Sequence, residues 1–328
     1  MARILVIEDT EPIRNLLVEQ LKGRGYDAVG APDGEAGMEA VSARLPDLVL
    51  TDCLMPRLDG LGVLKRLKSD PRTRLIPVVM LTTLKDTETK TKALECGADG
   101  FLVKPPDPII LDAQIRNLLK LKAYTDELEH AETVLFSLAE GVEAKDPYTG
   151  SHCKRLSAWS ALLGEAMGLG PEEVTALRRG GVLHDLGKVG IPDAVLLKPG
   201  SLSEVEWIVM REHPLIGERI CRPMRSMRLV LPIIRHHHER WDGKGYPDGL
   251  KGEEIPKLAR IFQVVDAYDA LRARRPYKEP FGKEESFRIL RREAAEGKWD
   301  PAVLEAFLGM MAGTVPLEES YEADFKGG

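Results

Sequence analysis

Residues Arg235–Pro247 read RHHHERWDGKGYP: three consecutive histidines and a glutamate, leaving an apolar run (Leu229, Val230, Leu231, Ile233, Ile234) for a Gly/Asp/Pro turn. Successive helical residues point about 100° apart, so three adjacent imidazoles cannot share one environment. At most two face a common buried point. A solvated cluster at a helix end would account for such a run in isolation, but the remaining histidines argue for more. Six of the seven lie between 152 and 238, and three of these stand singly at His152, His184 and His213. Asp185 follows His184 directly, and Asp266 comes later in an apolar segment. Neutral imidazoles together with carboxylates that can bridge two ions make the donor set of a polynuclear metal centre.

The 328 residues leave room for two domains, and 43% hydrophobic with 30% charged residues describes an ordinary globular chain. No run approaches the ~18 apolar residues of a membrane-spanning helix, and MARILVIEDT lacks the regions of a signal peptide. Four cysteines at 53, 96, 153 and 221 stand apart, without a CxxC pair. The expectation is reduced thiols in a cytoplasmic protein. The net charge is −6, and residues 1–120 hold 17 basic against 18 acidic side chains. Neither half is basic, so DNA is not expected as a partner.

Short apolar runs at 4–7, 26–31, 47–51, 77–82 and 100–103 alternate with helical patterns near 11–23, 34–44, 58–69, 86–96 and from 107. Five β and five α segments at this spacing predict a doubly wound, five-stranded parallel α/β sheet. Functional residues of such a sheet lie beyond the carboxyl ends of its strands. Those positions hold Glu8 and Asp9, Asp52, Thr82 and Lys104. The motifs IED (7–9), DCLMPRLDG (52–60), LTT (81–83) and FLVKP (101–105) resemble a response-regulator receiver domain over Met1–Lys120. That resemblance implies that Asp52 accepts a phosphoryl group from a cognate sensor histidine kinase and shares Mg²⁺ with Glu8 and Asp9. Lys104 would pair with the phosphoryl oxygens, with Thr82 and Phe101 as the switch residues. A hard cation suits carboxylates and water, and metal plus lysine neutralise a transferring phosphoryl group.

From Asp107 to about Gly141 the pattern stays helical. Leu121, Tyr124, Leu128, Ala131, Leu135, Leu138 and Val142 alternate spacings of three and four. This suits either a parallel two-stranded coiled coil, hence a homodimer, or a helix packed on its own second domain. Beyond it, helical patterns at 152–168, 171–183, 204–220, 226–238, 257–272, 284–296 and 301–312 predict an all-α domain. The chain is thus divided into 1–120, a helical connector over 121–142, a helical domain over 143–315 and a tail over 316–328.

In that domain KDPYTGSHCKRL (145–156), HDLGK (184–188), EHPLIGE (212–218), HHHERWDGKGYP (236–247) and VVDAYDAL (264–271) appear in order. The array is similar to the HD-GYP branch of the HD phosphohydrolases, which hydrolyse cyclic di-GMP to pGpG, GMP or both. The resemblance implies metal ligands at His152, His184, Asp185, His213, His237, His238 and Asp266, with His236 outside the set. It makes His184, Asp185 and Lys188 catalytic, gives Lys188, Arg275 and Lys278 phosphate contacts, and places Tyr246 in the substrate pocket. Asp269, one turn after Asp266, is a further candidate for proton transfer. Three-metal members carry a Glu before the Thr-Gly of the first motif, where this chain has Tyr148. A phenol with a pKa near ~10 is a poor ligand for a hard ion, so two divalent metals, iron or manganese, are expected, bridged by Asp185. Competing functions are a nucleotide-sensing or adaptor module and an HD phosphohydrolase for another nucleotide.

Overall fold

The computed structural model describes residues 1–83, 87–144, 152–273 and 279–313, without the side chains of 87–89. Two compact units comprise Met1–Ala131 and Glu132–Gly328. The first runs β1 (Arg3–Ile7), α1 (Glu11–Gly23), β2 (Asp27–Ala31), α2 (Gly34–Ala43), β3 (Leu48–Asp52), α3 (Gly60–Ser69), β4 (Val78–Thr82), α4 (Thr87–Glu95) and β5 (Gly100–Val103). The strands pair in parallel in the order β2-β1-β3-β4-β5, the doubly wound sheet expected from the sequence.

Strands β3 and β4 are buried throughout because helices cover both faces, which explains their unbroken apolar runs. Alternate side chains feed two cores. Leu5, Ile7, Val49, Val78 and Met80 pack with Val63, Leu64 and Leu67 of α3. On the other face Ile4, Val6, Leu50, Val79 and Leu81 pack with Leu17 and Leu21 of α1. Each such side chain contributes about 1.5–3 kcal/mol on burial. Asp33 and Asp59 cap α2 and α3 by accepting the N–H groups of Ala36 and Gly62.

Helix α5 spans Pro108–Glu143. Leu111, Ile115, Leu118 and Leu119 pack on the sheet core, whereas Leu135, Phe136 and Ala139 pack in the core of the second unit. The division between units therefore falls inside the 121–142 segment, before its C-terminal turns. Leu121, Tyr124, Leu128 and Leu138 of the heptad stripe are exposed.

The second unit continues with α6 (His152–Ala166), α7 (Pro171–Leu183), α8 (Asp193–Leu196), α9 (Glu204–Met210), α10 (His213–Cys221), α11 (Leu231–His236), α12 (Lys257–Arg272), α13 (Lys283–Ala295) and α14 (Pro301–Gly313). Helix α12 is its axis: Phe262, Val265 and Tyr268 are buried among Leu156, Trp159, Leu177, Leu183, Ile233, Leu290 and Phe307. Two expected helices are each divided. The 204–220 pattern breaks at Arg211–Glu212, and 226–238 becomes a 3₁₀ turn at Arg225–Met227 followed by α11. Pro214 and Pro232 sit in the first turns of α10 and α11, where a missing N–H costs nothing. Inside a longer helix each proline would delete a hydrogen bond. No helix among the described residues is long and apolar enough to cross a membrane, and all four cysteines are free thiols.

Candidate metal centre and phosphoacceptor site

At the carboxyl edge of the sheet, oxygens of Glu8, Asp9 and Asp52 lie within 4.8 Å of one another. Lys104 Nζ reaches Glu8 Oε2 at 2.5 Å and Asp52 Oδ2 at 2.7 Å. Burial disfavours its charge, but the hydrogen bonds to Asp52 and Glu8 outweigh burial and raise its pKa. One ammonium against three carboxylates leaves room for a hard divalent cation. Thr82, buried at the end of β4, donates its hydroxyl to Thr83 O at 3.2 Å. Phe101 of β5 packs beside the core cluster that contains Cys53 and Met80.

In the helical unit the ends of several helices meet. Helix α6 brings His152 at its first residue, α7 ends at His184, α10 starts at His213, α11 leads into His237 and His238, and α12 carries Asp266. Two clusters result. Asp185, His213, His237 and His238 form one; His152, His184 and Asp266 form the other, each with donor atoms within 4.8 Å. The two oxygens of Asp185 face different ways. Oδ1 lies 3.3 Å from His213 Nε2 and 3.8 Å from His237 Nε2, while Oδ2 lies 3.2 Å from His184 Nε2 and 2.6 Å from Lys188 Nζ. Gly187 makes this approach feasible, since a Cβ there would stand 1.8 Å from His213 O.

The chemistry of these atoms asks for a cation. His213 Nδ1 donates to Met210 O and His237 Nδ1 donates to Ile234 O, both at 2.8 Å. With Nδ1 of each ring engaged by a backbone carbonyl, the two Nε2 atoms turn toward each other, 3.3 Å apart. Asp185 Oδ1 and His184 Nδ1 are buried without hydrogen-bond partners. Burial and the adjacent His238 hold His237 well below the usual histidine range; burial and His213 push His238 down to about 3. Burial opposes charge on Asp185, yet Lys188 and His184 hold its pKa well below the ordinary value. The low-pKa imidazoles of His237 and His238 beside an ionised Asp185 fit a divalent metal.

His236 points elsewhere, 3.8 Å from Glu239 and 3.5 Å from Asp248, as the 100° argument requires. Tyr246 stacks on His238 with ring centroids 4.7 Å apart. Tyr148, Arg275, Lys278 and the tail over 316–328 lie outside the described residues.

The supporting shell was less legible in the sequence. Asp269 does not stand free as a base. Its Oδ2 is 2.6 Å from His152 Nδ1, and Arg155 holds both its oxygens at 2.6 and 3.0 Å. It orients the His152 ring, one turn below Arg155 on α6. An orienting carboxylate typically accounts for 10–100-fold in metal affinity or activity. Asp269→Asn is accordingly expected to weaken metal binding by about that factor, read by competition with a chelator. Unchanged affinity would remove Asp269 from this role.

Glu239, only 1% exposed, accepts the backbone N–H groups of Asp248, Gly249 and Leu250 at 2.8, 3.2 and 3.1 Å. It ties down the turn that carries Tyr246. Nothing in its spacing marked these partners, because they come from a loop. Glu239→Gln is expected to cost about 1.5–3 kcal/mol, measured as a lower urea midpoint; an unchanged midpoint would mean that the turn holds itself. Glu143, the last residue of α5, accepts the Cys153 N–H at 3.3 Å and so meets the first turn of α6.

Comparison with known proteins matches residues 4–116 to the response regulator receiver domain and residues 137–303 to the HD domain. The chain belongs to the family of response regulators that join a receiver domain to an HD domain. Among its relatives, the cyclic di-GMP phosphodiesterase response regulator RpfG of Xanthomonas campestris pv. campestris is 40% identical over 93% of this chain and 86% of its own length. A cyclic di-GMP phosphodiesterase of Thermotoga maritima is 35% identical over 93% and 89% of the two chains. A 3'3'-cGAMP-specific phosphodiesterase 2 of Vibrio cholerae is 37% identical over 56% of this chain and 35% of its own.

Proposed function

We propose that this protein is a cyclic di-GMP phosphodiesterase whose turnover is controlled by phosphorylation of Asp52. The observation that carries the catalytic half is the orientation of Asp185, with one oxygen toward each ligand cluster. On this reading His152, His184 and Asp266 would hold one divalent ion and His213, His237 and His238 another, with Asp185 placed between the two sets. Iron or manganese suits the mixed imidazole and carboxylate donors. Such ions polarise a phosphodiester and make water nucleophilic at neutral pH. The residues around them do the remaining work. Lys188 adds positive charge against the phosphate oxygens, Asp269 fixes the His152 ring through Nδ1, and Tyr246 offers an aromatic face to a base. Arg275 and Lys278 supply further phosphate contacts. The products are pGpG, GMP or both.

For the receiver half we infer that a sensor histidine kinase feeds Asp52, with Mg²⁺ held by Glu8, Asp9 and Asp52. Lys104, Thr82 and Phe101 transmit the change. The exposed stripe Leu121, Tyr124, Leu128 and Leu138 supports pairing of α5 with a second copy of the chain, in the cytoplasm. The test is metal analysis of the purified protein with a product-resolved assay on cyclic di-GMP, with and without a phosphoryl analogue. Two ions per helical unit and phosphodiester cleavage are expected. Tightly bound metal with no cleavage under any condition would leave a sensor rather than an enzyme.

A further inference from the structure

Resting on that reading, a second cation stands beside the site with no function yet attached. Arg211 follows the end of α9, one residue after Met210, whose carbonyl fixes the His213 tautomer, and two residues before His213 itself. Its Cζ lies 5.3 Å from the centroid of the Tyr246 ring and 6.0 Å from that of Trp207. Since Tyr246 stacks on His238, the side chains form a ladder from the metal centre outward: His238, Tyr246, Arg211, Trp207. Trp207 is 45% exposed at its outer end.

Four other guanidinium groups of this unit are committed to carboxylates. Arg155 pairs with Asp269, Arg235 with Glu218 and Asp248, Arg240 with Asp242, and Arg260 with Asp300. Arg211 has no carboxylate partner among the described residues. A guanidinium packed against aromatic faces keeps its planar N–H edge free, and that edge matches two adjacent acceptors. Guanine offers such a pair in O6 and N7; adenine offers N7 beside a donor amine. Lys188 and the metal ligands already serve the phosphate, so the stacked cation is better matched to a base.

We propose that Arg211, held between Tyr246 and Trp207, reads the O6/N7 edge of a guanine base and sets the preference for guanine over adenine in the cyclic dinucleotide. The experiment compares full-length, metal-loaded wild type with Arg211→Ala, Arg211→Lys and Trp207→Ala on cyclic di-GMP, 3'3'-cGAMP and cyclic di-AMP. Binding is read by stopped-flow tryptophan fluorescence for the arginine variants and by competition with a fluorescent dinucleotide for all. Steady-state turnover is measured in parallel. Losing a bidentate base contact corresponds to about 10–100-fold. Arg211→Ala is expected to raise Kd and KM for cyclic di-GMP by that factor with a smaller change in kcat, and to leave cyclic di-AMP almost unaffected. Arg211→Lys keeps the charge but loses the planar fork, so it should not restore discrimination. Trp207→Ala should reproduce part of the effect with unchanged metal content.

Equal weakening toward all three dinucleotides, or full discrimination in the lysine variant, would show a general electrostatic contact and overturn the proposal. So would a wild type with no preference for guanine. If wild type binds cyclic di-GMP without cleaving it, the catalytic reading fails while the binding comparison still decides the role of Arg211.

Discussion

Asp185→Ala is expected to abolish hydrolysis of cyclic di-GMP, with turnover falling by about 10³-fold or more. The Asp185 carboxylate reaches both ligand clusters. Its Oδ1 faces His213 and His237, and its Oδ2 faces His184 and Lys188. Removing both oxygens separates the two halves of the centre and leaves Lys188 without its 2.6 Å partner. Bound metal, measured by elemental analysis of the same preparation, should drop by at least one ion per chain. His184→Ala in addition should add little, because the two residues act as one unit. Near-wild-type turnover in the single or double variant would remove these residues from catalysis.

The second large effect lies in the other unit. Phosphorylation of Asp52 adds nearly two negative charges where Lys104 already balances Glu8 and Asp52. The lysine is drawn to the new oxygens, and the Thr82 hydroxyl, now bonded to Thr83 O, gains a stronger acceptor. A coupling of ~1–3 kcal/mol corresponds to about 5–150-fold in the active population. Turnover of wild type is expected to rise within that range on treatment with a phosphoryl analogue. Asp52→Asn should stay at the basal rate. Turnover and molecular mass should be recorded together in the four conditions. Identical values throughout would sever the receiver from the helical unit.

The sheet was easy to read because each strand is short, apolar and bounded by turn residues, and because parallel strands buried on both faces need no alternation. The metal-site residues were legible for a different reason. The histidines stand at helix ends inside compact motifs, and the resemblance of those motifs to the HD-GYP branch brought them forward as candidates together with Asp266 from within α12. What escaped was mostly of two kinds. Glu239 acts on the backbone of a loop, and backbone partners leave no trace in residue identity. Asp269 was visible, but its engagement by His152 and Arg155 depends on how α6 crosses α12. The divided helices show propensity outweighed by proline: periodicity carried 204–220 through as one segment, while Pro214 was the signal that it stops. That break puts Arg211 beside Tyr246 and Trp207.

The bond between Glu143 and Cys153 bears on how a signal could enter. Glu143 is the terminal residue of the helix that begins at Pro108, and Cys153 is the immediate neighbour of His152. A carboxylate that follows a sliding or turning helix would tug the peptide group beside the imidazole. The helix end thus sits like a thumb on the rim of the candidate metal site, where a shift of a fraction of an ångström would reach the His152 ring through its own backbone.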